Sequence, residues 1–299
     1  MHVKKIHTGV GHRSAVYALA PWRKPGQFLS GGGEGWVVEW YWDAPEIGRV
    51  VAAVETQVFA LAFDATSDLI IAGNMNGGLH FIYPNEPEAT RNIHHHQKGV
   101  FGLLPLGDFL FSVGGDGILT RWLLNPVRSI ESVHLSAYAL RCISYCPQRD
   151  ELAVGAGDRH IYLLDAQTLS VKRILKDAHD PTVFSVRYAP DGRYLLSGGR
   201  DAMLRVWDTQ SDFEVYKAIP AHWFTLNSIV YSPDGALFAT ASRDKTIKIW
   251  DARHFELLKV LDVVRHGGHI NSVNALLWMP AGLVSGSDDR TLGLWALTP

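Results

Sequence analysis

Ala178–Asp208 reads AHDPTVFSVRYAPDGRYLLSGGRDAMLRVWD, and the same pattern returns at Ala221–Asp251 as AHWFTLNSIVYSPDGALFATASRDKTIKIWD. Each copy holds a His-led loop, a short apolar strand, a Pro-Asp-Gly turn, a second strand, a tight polar turn and a third strand ending in Trp-Asp. The His-to-Trp distance is 28 residues in both, from His179 to Trp207 and from His222 to Trp250. A repeat near this period, built of short strands, points to a propeller or a similar array.

Laying the rest of the chain against this unit finds equivalents of Trp207 at Trp40, Ile82, Trp122, Leu164, Trp250 and Trp295, with successive spacings along the chain of 42, 40, 42, 43, 43 and 45. Seven units thus account for residues 1–299 as a single domain. Each supplies three strands up to its anchor, and a fourth is expected in the connector, as in SVKRILK from Ser170 and ELLKVLD from Glu256, where apolar residues alternate or run nearly continuously. Four strands per unit match a propeller blade. After Trp295 the sequence offers only ALTP, whereas VKKI (Val3 to Ile6) resembles the fourth-strand segments. The N-terminal strand is therefore expected to complete the last blade and cover its open edge. The fold class is all-β: a seven-bladed β-propeller of four-stranded antiparallel blades, the last closed by the N-terminal strand.

The pattern resembles the WD-repeat β-propeller family. The residues carrying the resemblance are the Gly-His or Ala-His starts (Gly11-His12, Ala178-His179, Ala221-His222, Gly268-His269) and the Trp-Asp ends (Trp207-Asp208, Trp250-Asp251). It covers essentially the whole chain. Blades two and four depart most: blade two lacks the His, the hydroxyl and the Trp, and blade four ends at Leu164.

A recurring set of polar residues follows the repeat. It comprises His12, Ser30 and Trp40 with Glu34 in blade one, His96, Ser112, Asp116 and Trp122 in blade three, and His179, Ser197, Asp201 and Trp207 in blade five. Blade six has His222, Thr240, Asp244 and Trp250, and blade seven has His269, Ser285, Asp289 and Trp295. Ser, His and Asp together suggest nucleophilic catalysis, but one catalytic site needs one such set and here it recurs around a ring. The resemblance implies a structural role: a buried chain from indole to hydroxyl to imidazole to carboxylate, its direction fixed by a donor-only indole and an acceptor-only carboxylate.

Other signals exclude more than they assign. Net charge is −2, from 28 basic and 30 acidic residues, which argues against general nucleic-acid binding. No apolar run approaches a membrane span, and His7, His12 and Arg13 interrupt the one stretch that could serve as a secretory core. Cys142 and Cys146, if on one strand, lie roughly 13 Å apart at strand rise, about twice what a disulfide spans. They read as reduced thiols in a cytoplasmic protein. The run His94–His96 is a weak metal signal, since consecutive strand residues point to opposite faces, and it reads as loop histidines. SGGGEG (Ser30 to Gly35) lacks the Lys and following helix of a phosphate loop. No cofactor or metal is expected.

Function must then come from the surface. The first core residues of the innermost strands are Val16, Val58, Val100, Leu140, Val183, Leu226 and Val273, and the residues after them are Tyr17, Phe59, Phe101, Arg141, Phe184, Asn227 and Asn274. The resemblance implies that this position sits near the channel mouth, on the face of the His-led loops, where family members contact partners. Aromatics and Arg are enriched at binding hot spots. They also dominate cores, so each aromatic here is open to a packing role between blades. Trp223 and Phe224, in the loop after His222, add an adjacent aromatic pair where other blades carry mostly small or polar residues. Trp22 and Trp42 are open to either a second contact or packing on their own blade.

The leading expectation is a non-catalytic scaffold or adaptor that binds another protein or a peptide segment on the His-loop face, with no general nucleic-acid binding and no membrane. The alternatives are an enzyme with its site at the channel mouth, or a structural subunit contacted through its blade edges. The latter would be marked by an exposed apolar strip on the outer strands.

Overall fold

The computed structural model describes residues 2–298. Among them are seven four-stranded antiparallel sheets, six of them formed from consecutive strands. Blade five is typical: Val183–Tyr188, Tyr194–Gly199, Met203–Asp208 and Glu214–Pro220, running from the channel outwards. The other consecutive blades occupy residues 16–53, 58–94, 100–134, 140–175 and 226–261. The expected fourth strands are present at Val171–Leu175 and Leu257–Leu261.

The seventh blade closes the ring. Val273–Met279, Gly282–Ser287 and Leu292–Thr298 supply three strands, and His2–Gly9 pairs antiparallel with the last of them, setting Lys5 opposite Trp295. The expected N-terminal closure is therefore found, somewhat longer than Val3 to Ile6.

The core lies between blades. Seven apolar clusters occur, each joining two neighbouring blades around the ring. In one of them Trp40, Phe28 and Val16 of blade one meet Leu292, Leu294 and Val284 of blade seven. A single blade cannot bury its face alone, so closure of the ring is what removes the last apolar face from water.

The turn before each third strand has one conformation throughout. The residue after the acidic or Asn turn position has positive φ in every blade: Gly35, Gly77 and Gly117 in the first three, then Arg159, Ala202, Lys245 and Arg290. At Gly117 a Cβ would lie 1.7 Å from the Ser136 carbonyl oxygen, so glycine is required there by contact as well as by conformation.

Two ambiguous tryptophans have structural places. Trp22 is buried in the apolar cluster between blades one and two, with Arg23 stacked 4.7 Å over its ring and paired to Asp68. Trp42 packs between blades one and seven, against Gly282. The free thiols Cys142 and Cys146 both lie on Leu140–Cys146, and burial pushes that of Cys142 up to about 12.

Candidate functional site

The recurring polar set forms the same hydrogen-bond chain in five blades. In blade three, Trp122 Nε1–H donates to Ser112 Oγ (2.9 Å), Ser112 lies 2.8 Å from His96 Nε2, and His96 Nδ1 lies 3.0 Å from Asp116. Blades five, six and seven repeat this within 2.8–2.9 Å through Ser197, Thr240 and Ser285. Blade one uses Glu34 as the carboxylate, with Trp40 on Ser30 at 2.8 Å. The donor-only indole fixes the direction, so the hydroxyl donates to the imidazole Nε2 and the imidazole Nδ1–H donates to the carboxylate. Burial holds His96, His179 and His222 below the usual imidazole range, partly offset by the carboxylates beside them. Every Ser or Thr hydroxyl of the set is buried and held by a Trp and a His, so none is presented as a nucleophile.

Blades two and four build different sets that the sequence reading missed. In blade four, Ser136 stands at the His position and donates to Asp158 at 2.5 Å, while the Tyr162 hydroxyl reaches the same carboxylate at 2.5 Å. Asp158 was findable: it precedes Leu164 by six residues, as Asp201 precedes Trp207. In blade two, His80 is buried between Asn74 (3.0 Å), Asn92 (2.9 Å) and the exposed Glu55 (3.3 Å). The reading of His94–His96 as loop histidines needs correction: His94 ends the strand Arg91–His94, His96 is buried in the blade-three chain, and His95 is packed as well. That ring is half-buried, packs edge-on against Trp122 at 4.6 Å and bonds Thr120 at 2.9 Å. No group of three or more His, Cys, Asp or Glu that could hold a metal occurs among the described residues.

The channel mouth has a backbone device that no sequence pattern announced. In all seven blades the register of the innermost strand shifts at one residue, a β-bulge, and the bulged residues are Tyr17, Phe59, Phe101, Arg141, Phe184, Asn227 and Asn274. A bulge re-aims the side chain of its extra residue. All seven are half-buried and line one central channel of about 510 Å³.

The seven divide into two arcs. From blade one to blade five the rings touch in sequence: Tyr17 meets Phe59 edge-on at 5.0 Å, Phe59 stacks on Phe101 at 5.5 Å, and the Arg141 guanidinium lies 4.2 Å over Phe101 and 5.5 Å over Phe184. Asn227 and Asn274 act as ties between blades instead. Asn227 Nδ2–H donates to the Val273 carbonyl (2.9 Å), and Asn274 Nδ2–H donates to the Val16 carbonyl (3.1 Å) and to Asp288 (2.7 Å). One amide donor of each thus reaches the neighbouring blade, while Asn274 is also held by Asp288 of its own blade.

Around the arc the His-led loops raise exposed apolar side chains. Trp223 is 86% and Phe224 59% exposed, and the corresponding loops of blades four and seven present Tyr138 and Ile270, each 61% exposed. Tyr138 and Ile270 were not singled out from sequence. They occupy the positions of Phe224 and Trp223 relative to Ser136 and His269. A second apolar surface exists on the outer strands of blades three to six: Ile130, Val171, Ile174, Val215, Tyr216, Leu257 and Leu258 are exposed. Tyr216 is partly covered by Tyr194 and Phe255.

Comparison with known proteins agrees with this architecture. The family described as WD40, "WD domain, G-beta repeat", matches residues 170–208, 213–251 and 257–296. The chain is 30% identical over 216 residues to the U5 small nuclear ribonucleoprotein 40 kDa protein of Mus musculus, covering 67% of this chain and 58% of that one. It is 24% identical over 192 residues to the THO complex subunit 6 homolog of Danio rerio, covering 56% of this chain and 57% of the relative. To Protein groucho of Drosophila melanogaster it is 24% identical over 183 residues, covering 59% of this chain and 25% of the relative. The chain thus spans from a quarter to under three fifths of the length of these curated relatives. No helix among the described residues is long and apolar enough to cross a membrane.

Proposed function

The chain belongs to the WD-repeat β-propellers, and from that premise we propose that it is a non-catalytic interaction scaffold which docks a protein or peptide on the His-loop face. The observation that carries this is the set of seven bulged residues, five of which join an aromatic and cationic arc at the channel mouth beneath exposed Tyr138, Trp223, Phe224 and Ile270. Clustered exposed aromatics with an Arg anchor are the composition of a binding hot spot. Two relatives carry names that designate parts of assemblies, a complex subunit and a ribonucleoprotein component, which supports the same reading. A catalytic role is disfavoured because the repeated Ser and His are locked to Trp, and the channel lining offers no carboxylate or imidazole. Two unpaired thiols support a reducing compartment, with the cytoplasm as the proposed location.

The test compares proteins captured from native-source lysate by the parent and by a variant with Phe101, Phe184 and Trp223 changed to Ala, after matched folding has been shown. Loss of specific partners in the variant is expected. Identical capture by both refutes the His-loop face. The exposed apolar side chains on the outer strands favour a second reading, a subunit contacted through its side wall. Charged substitutions at Val171 and Leu257 would then remove partners that the channel-mouth variant keeps.

A further inference from the structure

We propose that the central channel is an anion site, which takes the acidic side chains of an extended peptide segment entering from the His-loop face. This deepens the scaffold reading and rests on it.

The channel lining contains two arginines, Arg141 and Arg187, and no Asp, Glu, Lys or His. In a chain whose net charge is −2, an uncompensated pair of cations inside the ring needs a reason. Arg141 Nε is buried and has no hydrogen-bond partner among the described residues. Its guanidinium lies 4.2 Å over Phe101 and 5.5 Å over Phe184, contacts that position the group without supplying a hydrogen-bond acceptor. Arg187 has neither a hydrogen bond nor an ion pair among the described residues, and it breaks the repeat. At its place on the innermost strand the other blades carry Ala20, Ala62, Leu104, Ser144, Val230 and Leu277.

A third unsatisfied group lies beside Arg187. The Tyr231 hydroxyl is buried without a partner, whereas its counterpart Tyr188 donates to Glu151 at 2.8 Å. Arg187 is accessible to solvent because it lines the channel, yet the surrounding blades lower the proton affinity of its guanidinium, as they do for Arg141. Both charges are therefore partly desolvated without a counter-ion, the condition in which a bound carboxylate gains most. Two acids near this system lie outside the lining. Asp288 at the rim is tied to Asn274, and Asp191 stands on a turn near Tyr231.

The spacing favours a peptide over a single small anion. Arg141 is the second residue of its strand and Arg187 the fifth of the next blade's strand, a difference in depth of roughly 10 Å at strand rise. An extended segment with acidic residues about three apart presents one carboxylate at each level. Between the two levels the lining is mainly apolar, suited to intervening aliphatic side chains.

The experiment titrates fluorescein-labelled hexaglutamate, which contains acidic pairs at this spacing, into the parent protein at low ionic strength and follows fluorescence polarisation. Hexaglutamine is the control and inorganic phosphate the competitor. Saturable hexaglutamate binding is expected, weakened about tenfold or more by R141Q and by R187Q, as for loss of a charge-assisted contact, and largely kept by R187K. Hexaglutamine should bind at least about tenfold more weakly than hexaglutamate. Absence of saturable binding to the parent, or binding unchanged in both Gln variants, overturns the proposal. Phosphate that displaces the peptide at equal concentration with the same Arg dependence overturns the peptide occupant. Partner capture lost in the aromatic variant but intact in the R141Q/R187Q double variant overturns this inference alone. Capture that survives the aromatic variant overturns the scaffold reading on which it rests.

Discussion

Blades six and four perform the same structural task with different chemistry. In blade six the chain runs Trp250, Thr240, His222, Asp244, each step within 2.8–2.9 Å. Blade four has Leu164 where the Trp would be and Ser136 where the His would be, yet Asp158 keeps the carboxylate's place and collects the Ser136 and Tyr162 hydroxyls. What persists is a carboxylate at the turn before the third strand, accepting donors from the loop and the sheet. The difference teaches that the polar set closes a hydrogen-bond account inside a blade, and that its particular residues are interchangeable when donors and acceptors still match. Arg187 and Trp223, by contrast, are residue types that do not recur at the equivalent positions around the ring.

The comparison breaks most readily at its centre. His222→Ala should destabilise the protein by about 3 kcal/mol, because it strands the buried Asp244 carboxylate and the Thr240 hydroxyl. Asp158→Ala in blade four should cost about 2 kcal/mol, since it leaves two hydroxyl donors without their shared acceptor. Equilibrium urea unfolding checks both. Equal stability of either variant with the parent would remove the structural role assigned to that blade.

Lowering pH should separate the two blades more gently. His222 and Asp244 both sit below their ordinary values in the folded protein, the imidazole through burial, and the carboxylate because burial, which raises it, is outweighed by His222 together with the bonds from Thr246 and the Trp223 backbone. For each, the unfolded chain binds the proton more readily, so the stabilisation is complete above the unfolded pKa and declines as pH falls. The imidazole contribution starts to fall below about pH 6.5 and the carboxylate contribution below about pH 4. His222→Gln should flatten the first part of the decline in a urea series between pH 7 and 5. An unchanged slope in that variant assigns the decline to another group.

The smallest expected effect lies in the turn common to all blades. Ala202 holds a φ of 62° where blades one to three place glycine. Ala202→Gly should relieve that strain and raise stability by about 0.5–1 kcal/mol, less the entropy a glycine adds to the unfolded chain. Gly117→Ala, at the same position in blade three, should instead destabilise clearly, because its Cβ would meet the Ser136 carbonyl.

Much of this architecture was legible in one dimension. Trp207 and Trp250, and the His residues 28 positions before them, mark a period that fixes blade count and strand order. VKKI at the N-terminus marks the strand that closes the ring, and the fixed offsets from His179 to Trp207 mark a hydrogen-bond chain within one blade. Asp158 holds the same offset, but blade four has Ser136 and Leu164 in place of the His and Trp that would mark it as part of the set.

The sequence by itself determined what a blade contains, because in six blades, and in three strands of the seventh, contacts within a blade join residues a short and nearly constant distance apart along the chain. Only the tertiary structure decided what faces what across blades. Phe59 stacks on Phe101, Asn274 ties blade seven to the Val16 carbonyl of blade one, and Arg141 and Arg187 share one channel, through contacts between units about 40 residues apart or at opposite ends of the chain. The bulge that aims Tyr17, Phe59 and Phe101 at the channel mouth is a register shift between strands, visible only when the strands are paired.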